Sequence, residues 1–576
     1  MSLVSLYDAA SLWMTPSGAE DGKLFSELPT DGSGDFTFSR GSNLAATRVG
    51  PTGLIEKGRE NLLTQSNRFD LWNIKNVTSG HAGYDGTNNA WLQSGASRLQ
   101  RNLTLSSSVY TGSIYVKAGF SDYVQLYLVG SSNALARFEL IGNGTIVASS
   151  GIYPKIEPVS GATGWYRIST NINASITTFR IYPQNDSSGT QTADSSVYVQ
   201  DAQLELGLAT TDYIESGATT GKAGLLEDEP RLDYSGGATC PSLLLEPQRT
   251  NLVEYSEVFN LNWLASGRPA VETNIIDSPE GVQNGSRLTY GAGNVLRYQD
   301  ELTFTNGYSY SIFVKKDVGR YVTIYAAFFT TSATIGFDLD EGTCQEGGVI
   351  EPYEDGWYRI SVSKSVSGDA DKSGYFYLYS ADTLGGITST PGNKLYVYGA
   401  QIEEGSYPTS YIPNHSGGSV TRGADAMNEQ ISGLTSIEQG TFFLDFDRGL
   451  TTATSRDASN DGFFYRSTSS FPNGDAIEVA TEADGRARLA LRLSSFTSIY
   501  LDNTLSRYKM LVKWEGTSVK AYVNGVLKYS SAGKWADATA ALEYIGYRGD
   551  FRKSVNQVLT FPTALTDSEC IKLTTL

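Results

Sequence analysis

The sequence predicts an all-β chain of several sandwich domains, and three observations carry that expectation. Aromatics make up 11% of the 576 residues, with 35 tyrosines beside 60 glycines. Tyr, Thr, Val, Ile and Phe suit a pleated, half-buried surface, while Gly, Asn, Asp and Ser suit the turns between strands. Charged residues are only 18%, and the long Ala/Glu/Lys/Leu stretches of a helical protein are missing. Finally, one template as long as a sandwich domain occurs twice in the chain.

The repeat is read from four motifs kept in order. Asn61-Leu62-Leu63 with Trp72 reappears as Asn251-Leu252-Val253 with Trp263. Ser113-Ile114-Tyr115-Val116-Lys117 reappears as Ser311-Ile312-Phe313-Val314-Lys315, and Gly164-Trp165-Tyr166-Arg167-Ile168-Ser169 recurs unchanged from Gly356 to Ser361. Ala202-Gln203-Leu204-Glu205 with Asp212-Tyr213-Ile214 matches Ala400-Gln401-Ile402-Glu403 with Ser410-Tyr411-Ile412. The offsets are 190, 198, 192 and 198 residues, so the copies differ only in loop lengths. Copy one is expected at 61–216 and copy two at 250–414, each a jelly-roll sandwich.

Period-two alternation fills both copies. In Tyr123-Val124-Gln125-Leu126-Tyr127 and Tyr321-Val322-Thr323-Ile324-Tyr325 the aliphatic residues face a core and the tyrosines point away. Tyr375-Phe376-Tyr377-Leu378-Tyr379 repeats the pattern, with Gly142-Asn143-Gly144 and Glu341-Gly342 as turns. Residues 217–249, punctuated by Gly and Pro but apolar, are expected to be an ordered connector, and 415–439 a linker. From 440 to 576 a third sandwich is expected. Its strands are Thr441-Phe442-Phe443-Leu444-Asp445-Phe446, Tyr508 to Trp514, a hairpin at Asn524-Gly525, and a run near Val555 to Phe561, closed by a capped turn at 565–569.

Charge and cysteine content exclude several classes. The net charge is −18 with no basic block, which argues against nucleic acid and anionic lipid as partners. Cys240, Cys344 and Cys570 are too few and too far apart for a disulfide framework. The first residues lack a basic region followed by an apolar stretch, and no run approaches about 18 apolar residues. Synthesis in a reducing cytoplasm without a signal peptide or membrane insertion is therefore expected.

Several of these motifs resemble a known group. Cys240-Pro241-Ser242-Leu243-Leu244-Leu245-Glu246-Pro247-Gln248-Arg249-Thr250-Asn251-Leu252, Gly356 to Ser361, Ala400 to Glu403, and the stretch from Phe36 to Ile55 are similar to carbohydrate-binding-module-like jelly rolls. Such jelly rolls occur in fibre and structural proteins of tailed phages, notably crAss-like phages and others of Bacteroides-type hosts. Lys513-Trp514-Glu515-Gly516, Tyr522-Val523-Asn524-Gly525 and Ala564 to Glu569 resemble a concanavalin A/laminin-G-type sandwich. The resemblance implies a virion-surface fibre protein, of head or tail, that adheres to host-surface glycan. It also implies a homo-oligomer, with a trimer favoured. Residues 1–60, with the apolar Leu12-Trp13-Met14, are then expected to attach to other virion proteins. An architectural virion protein without ligand and a polysaccharide-degrading enzyme are the alternatives.

Catalytic signatures are sparse. His81 and His415 lie outside any zinc-binding spacing and read as solvent-facing loop residues, and no nucleophile elbow, phosphate loop or dinucleotide fingerprint occurs. A glycosidase needs only two carboxylates, and 62 acidic residues are present. The reading is nevertheless non-catalytic, without cofactor. Jelly rolls often hold a structural calcium, but no ligand set places one. Asp457-Ala458-Ser459-Asn460-Asp461-Gly462 begins like a calcium loop, yet its twelfth position is Thr468.

Sugars stack their C–H faces on aromatic rings, so outward tyrosines are the candidate glycan site. Copy two offers Tyr321, Tyr325, Tyr375, Tyr377 and Tyr379; copy one offers Tyr123, Tyr127 and Tyr182, interleaved with Gln125 and Arg180. The competing reading makes these tyrosines cross-strand pairs or contacts between subunits. Trp165 and Trp357, shared by both copies, are expected to be structural.

Overall fold

The computed structural model describes residues 3–20, 22–41, 43–264, 266–298, 300–304, 307–328, 332–365, 373–405, 407–447, 462–467, 476–481, 487–492, 496–501, 505–532, 542–548 and 553–575. The chain is all-β, with two jelly-roll sandwiches and a third, concanavalin A-like sandwich.

In copy one the long strands Leu99–Ala118 and Trp165–Gln184 pair along their whole length and run through both layers of the sandwich. Register shifts between Asn102 and Ser108 bend them, as bulges do. One half of Trp165–Gln184 pairs with Tyr123–Gly130, and the other with Ile152–Pro158. Val124, Leu126, Phe179 and Ile181 fill the core from one layer, Ile114, Val116 and Ile168 from the other. In copy two the same positions belong to two described sheets. One carries Gly307–Val318, Trp357–Ser365 and Lys394–Glu404; the other carries Leu296–Arg297, Ser373–Ala381, Tyr321–Phe328 and Ala333–Asp338.

The motifs shared by the copies are buried clasps. Asn61 donates Nδ2 to the carbonyls of Ala202 and Ile214 (3.0 and 2.8 Å), and its Oδ1 accepts from the amides of Leu63 and Leu204, both at 3.1 Å. Asn251 repeats this with Ala400 and Ile412 (3.2 and 2.9 Å) and with Val253 and Ile402 (3.0 and 3.3 Å). Gln203 donates to Glu205 as Gln401 donates to Glu403, and each glutamate accepts from a threonine amide, Thr211 or Thr409. Arg167 and Arg359 each reach a serine, Ser113 or Ser311, while lying over Tyr115 or Phe313. Trp165 and Trp357 are buried. A buried polar group left unbonded costs about 1–3 kcal/mol, so such clasps are kept complete or not at all.

The third sandwich draws on much more of the chain than residues 440–576. One sheet centres on Gln439–Asp447, with Arg507–Glu515 and Lys553–Phe561 on either side. Leu12–Met14 pairs with Lys553–Phe561, in the register Leu12 to Thr560, and Ser242–Leu245 pairs with the same strand further along. The opposing sheet places Phe36–Ser39 beside Ala426–Gln430, which pairs in turn with Tyr544–Arg548. Leu12, Met14, Leu24, Phe36 and Phe38 are at most 2% exposed and pack against Phe442, Leu444, Met510 and Val558. At about 1.5–3 kcal/mol for each fully buried side chain, these five contribute on the order of 10 kcal/mol, an upper estimate. Leu12-Trp13-Met14, expected to offer an apolar docking face, is instead paired with Lys553–Phe561, and Leu12 and Met14 are buried in the protein's own core. Residues 415–439, expected to be a linker, contribute the strands Val420–Arg422 and Ala426–Gln430.

Ion pairs lock these distant segments together. Arg231 Nη1 lies 2.7 Å from Glu246 Oε2 and its Nη2 contacts Asp425; Arg422 Nη1 is 2.7 Å from the same Glu246 oxygen. Arg40 adds a 3.5 Å contact to Asp425, and all five side chains are essentially unexposed. The Asn524-Gly525 hairpin has the two positive φ angles, 48° and 78°, that its residues suit. The capped turn at 565–569 extends into a helix, Asp567–Thr574, held by a Thr566/Glu569 capping box.

Candidate functional site

Alternation along two neighbouring strands builds an aromatic surface on copy two. Phe376 and Leu378, with Val322 and Ile324, fill the core; the tyrosines between them therefore stand on the outer face, half-buried. Antiparallel register sets Tyr325 opposite Tyr377, and Thr323 opposite Tyr379. The Tyr325 and Tyr377 rings lie 5.5 Å apart, and Tyr377 stacks on Tyr379 with centroids 6.4 Å apart and planes 16° apart. Arg297, opposite Tyr377 on the edge strand, places its guanidinium 4.5 Å from the Tyr375 ring and 5.9 Å from that of Tyr377. Tyr321 stands at the far end under Arg320, which is bound to Asp338. All five candidate tyrosines thus share one sheet face; Tyr325, Tyr377 and Tyr379 form a ladder of ring contacts, and Arg297 joins Tyr375 to it.

A loop walls this ladder on one side. A Cβ on Gly336 would meet the Gly385 amide nitrogen at 2.1 Å, so the loop lies directly on the sheet beside Thr323, and only glycine fits beneath it. Leu384 and Ile387 of that loop are exposed. Burial, together with the neighbouring phenols of Tyr377 and Tyr325, raises the Tyr379 hydroxyl above its ordinary pKa, leaving it a neutral hydrogen-bond donor.

Copy one uses the same face differently. Tyr123 donates to Glu139 at 2.7 Å, Tyr127 lies under Arg180, and Tyr182 is opposite Gln125. Gln125 accepts from Arg137 (3.0 Å) and from Gln184 (3.1 Å), while Arg137 reaches across to the Ser187 carbonyl. Its three tyrosines are therefore separated by a polar network.

A cavity of about 500 Å³ lies where the two copies meet, lined in part by Leu44, Lys57, Arg59, Glu205, Lys222 and His415. Its charges are matched internally. Lys57 Nζ is 2.6 Å from Glu280, Arg59 Nη2 is also 2.6 Å from it, and Lys222 pairs with Glu227 at 2.6 Å. Burial alone would raise the Glu280 carboxyl, but Lys57 and Arg59 hold it down to about 2. His415 is no solvent-facing loop residue: its side chain is 10% exposed, 3.8 Å from Glu257, and burial lowers its pKa. Its backbone carbonyl accepts from Val109 and Ser108 of copy one, which is what draws it inside. His81 ends the strand Val77–His81 and is partly exposed.

Among the described residues, no group of three or more His, Cys, Asp or Glu side chains is placed to hold a metal ion. The run from Asp457 to Asp461 lies outside the described residues. The sequence had not singled out Arg297; its signal, an arginine beside a tyrosine in Leu296-Arg297-Tyr298, is too short to notice without the register.

No family model matches the chain, and no curated protein matches it. Several solved structures are similar to parts of it. The CBM40 of Ruminococcus gnavus IT-sialidase, bound to alpha2,6 sialyllactose, is 16% identical over 24% of this chain and 83% of that one, with a TM-score of 0.19. Domain 4 of AbnA, a GH43 extracellular arabinanase from Geobacillus stearothermophilus, in complex with arabinotriose, is 18% identical over 30% and 82%, at 0.21. The receptor binding domain of botulinum neurotoxin D is 13% identical over 25% and 40%, at 0.20. At such scores no ligand is transferred from them.

Proposed function

We propose that this chain is a non-catalytic, glycan-binding protein of a bacteriophage virion surface, and that copy two holds host polysaccharide on its outer sheet. The observation that carries the reading is the ladder of Tyr325, Tyr377 and Tyr379, to which Arg297 joins Tyr375: ring faces on one sheet, walled by a loop and flanked by that guanidinium. Aromatic walls with a few placed polar groups are the usual makeup of a sugar or small-molecule site. Virion context rests on the sequence motifs alone, as does assembly into a homo-oligomer.

The test uses the full-length protein, because residues 440–576 lack strands supplied from 12–39 and 242–245. Binding is measured to surface polysaccharides extracted from a panel of Bacteroides-type bacteria. Saturable binding that weakens about tenfold or more in Tyr377→Ala and in Tyr325→Ala is expected, a loss of about 1.4 kcal/mol or more. A folded protein that binds none of them is an architectural component instead, and release of reducing ends makes it an enzyme.

A further inference from the structure

Resting on the reading of the tyrosine ladder as a glycan site, we infer that the sugar it selects bears a carboxylate, and that Arg297 is the residue that reads it. The chain holds 62 acidic against 44 basic residues, and most of its placed arginines meet a carboxylate or a carbonyl. Arg297 does not: among the described residues no carboxylate lies within ion-pair distance of its guanidinium and no carbonyl accepts from it. Among the described residues its guanidinium lies on the faces of Tyr375 and Tyr377.

A guanidinium laid on aromatic faces keeps its edge free, since the cation–π contact uses the plane and leaves the N–H fork unspent. That fork matches a planar carboxylate with two parallel hydrogen bonds. The row Arg297, Tyr377, Tyr325 and Thr334 crosses the sheet in register. A pyranose stacked on Tyr377 therefore lies beside this edge, where a ring carboxylate of a hexuronate meets the cation. The chain's net charge of −18 opposes such a ligand only at long range. Over about 8 Å at physiological salt that field is screened, whereas a contact pair is not.

The experiment measures the full-length protein on an array of paired oligosaccharides, each uronate-bearing glycan printed beside its carboxyl-reduced, neutral form. Wild type is expected to prefer the uronate by about tenfold or more within at least one pair, as a charge-assisted hydrogen bond outweighs a neutral one. Arg297→Gln is expected to bring the ratio of uronate to neutral binding within each pair to about one, whatever the absolute affinity, with Arg297→Lys intermediate. Tyr377→Ala weakens both forms. Equal binding within every pair, or a preference that survives Arg297→Gln, overturns the carboxylate assignment and leaves the ladder standing. Binding of neither form of any pair by a folded protein overturns both.

Discussion

The two jelly rolls share a clasp and differ on a face. Asn61 and Asn251 make the same four hydrogen bonds, yet the outer sheet of copy one reads Gln100, Arg180, Tyr127 across a row where copy two reads Arg297, Tyr377, Tyr325. In copy one Arg180 and Thr178 stand on the central strand where copy two has Tyr377 and Tyr375, and Gln125 and Gln184 tie the neighbouring surface into a hydrogen-bonded network. In copy two the arginine has moved to the edge and the centre is aromatic. The motifs by which the copies are recognised as copies are thus the ones that hold them together. The candidate binding surface lies where they diverge.

This division can be broken or sharpened by substitution. The largest effect is expected at the clasp: Asn61→Ala and Asn251→Ala should each destabilise their own jelly roll by about 3–4 kcal/mol, because four buried backbone groups lose their partner. Hydrogen exchange resolved by segment reads this; two unequal losses, or a loss confined to one copy, break the equivalence. A middle effect is expected at Asp201, whose counterpart in copy two is Gly399; both adopt positive φ, 51° and 55°. Burial raises the Asp201 carboxyl to about 6, against the hydrogen bond from Tyr84. Its neutral form is the one the fold accepts, so stability present below about pH 4 is lost as pH rises through 6. Asp201→Asn should gain about 1–2 kcal/mol at pH 7.5 and nothing at pH 4, checked by thermal melting at the two pH values. A gain of equal size at both would show that charge is not the cause. The smallest effect is expected at Tyr182→Ala, which should change glycan binding less than about threefold while Tyr377→Ala changes it about tenfold. Equal losses would place a second site on copy one.

Local pattern made the jelly rolls legible. Alternation in Tyr375-Phe376-Tyr377-Leu378-Tyr379 reports which side faces the core, because side chains on a strand alternate strictly. The Asn524-Gly525 turn was equally legible, since its backbone needs residues that tolerate positive φ. Long-range pairing was not. Nothing in Leu12-Trp13-Met14 says that its partner is 546 residues away at Val558–Thr560, and nothing in Ala426–Gln430 distinguishes a central strand from a linker. His415 was misread for the same reason, its burial being decided by Ser108 and Val109 of the other copy. At the candidate site, the tyrosines were found by period; Arg297 required register.

The pairing of Leu12–Met14 with Lys553–Phe561 also sets a timetable for biosynthesis. Leu12–Met14 leaves the ribosome some 546 residues ahead of the strand that it pairs with. At about 5–20 residues per second, Leu12 and Met14 wait roughly half a minute to two minutes with their apolar side chains unpaired. Both jelly rolls are complete and closed by their clasps before the third sandwich can form. The early strands are therefore the part of the nascent chain with most need of a chaperone, and ribosome-bound chains halted before residue 553 should be captured through them.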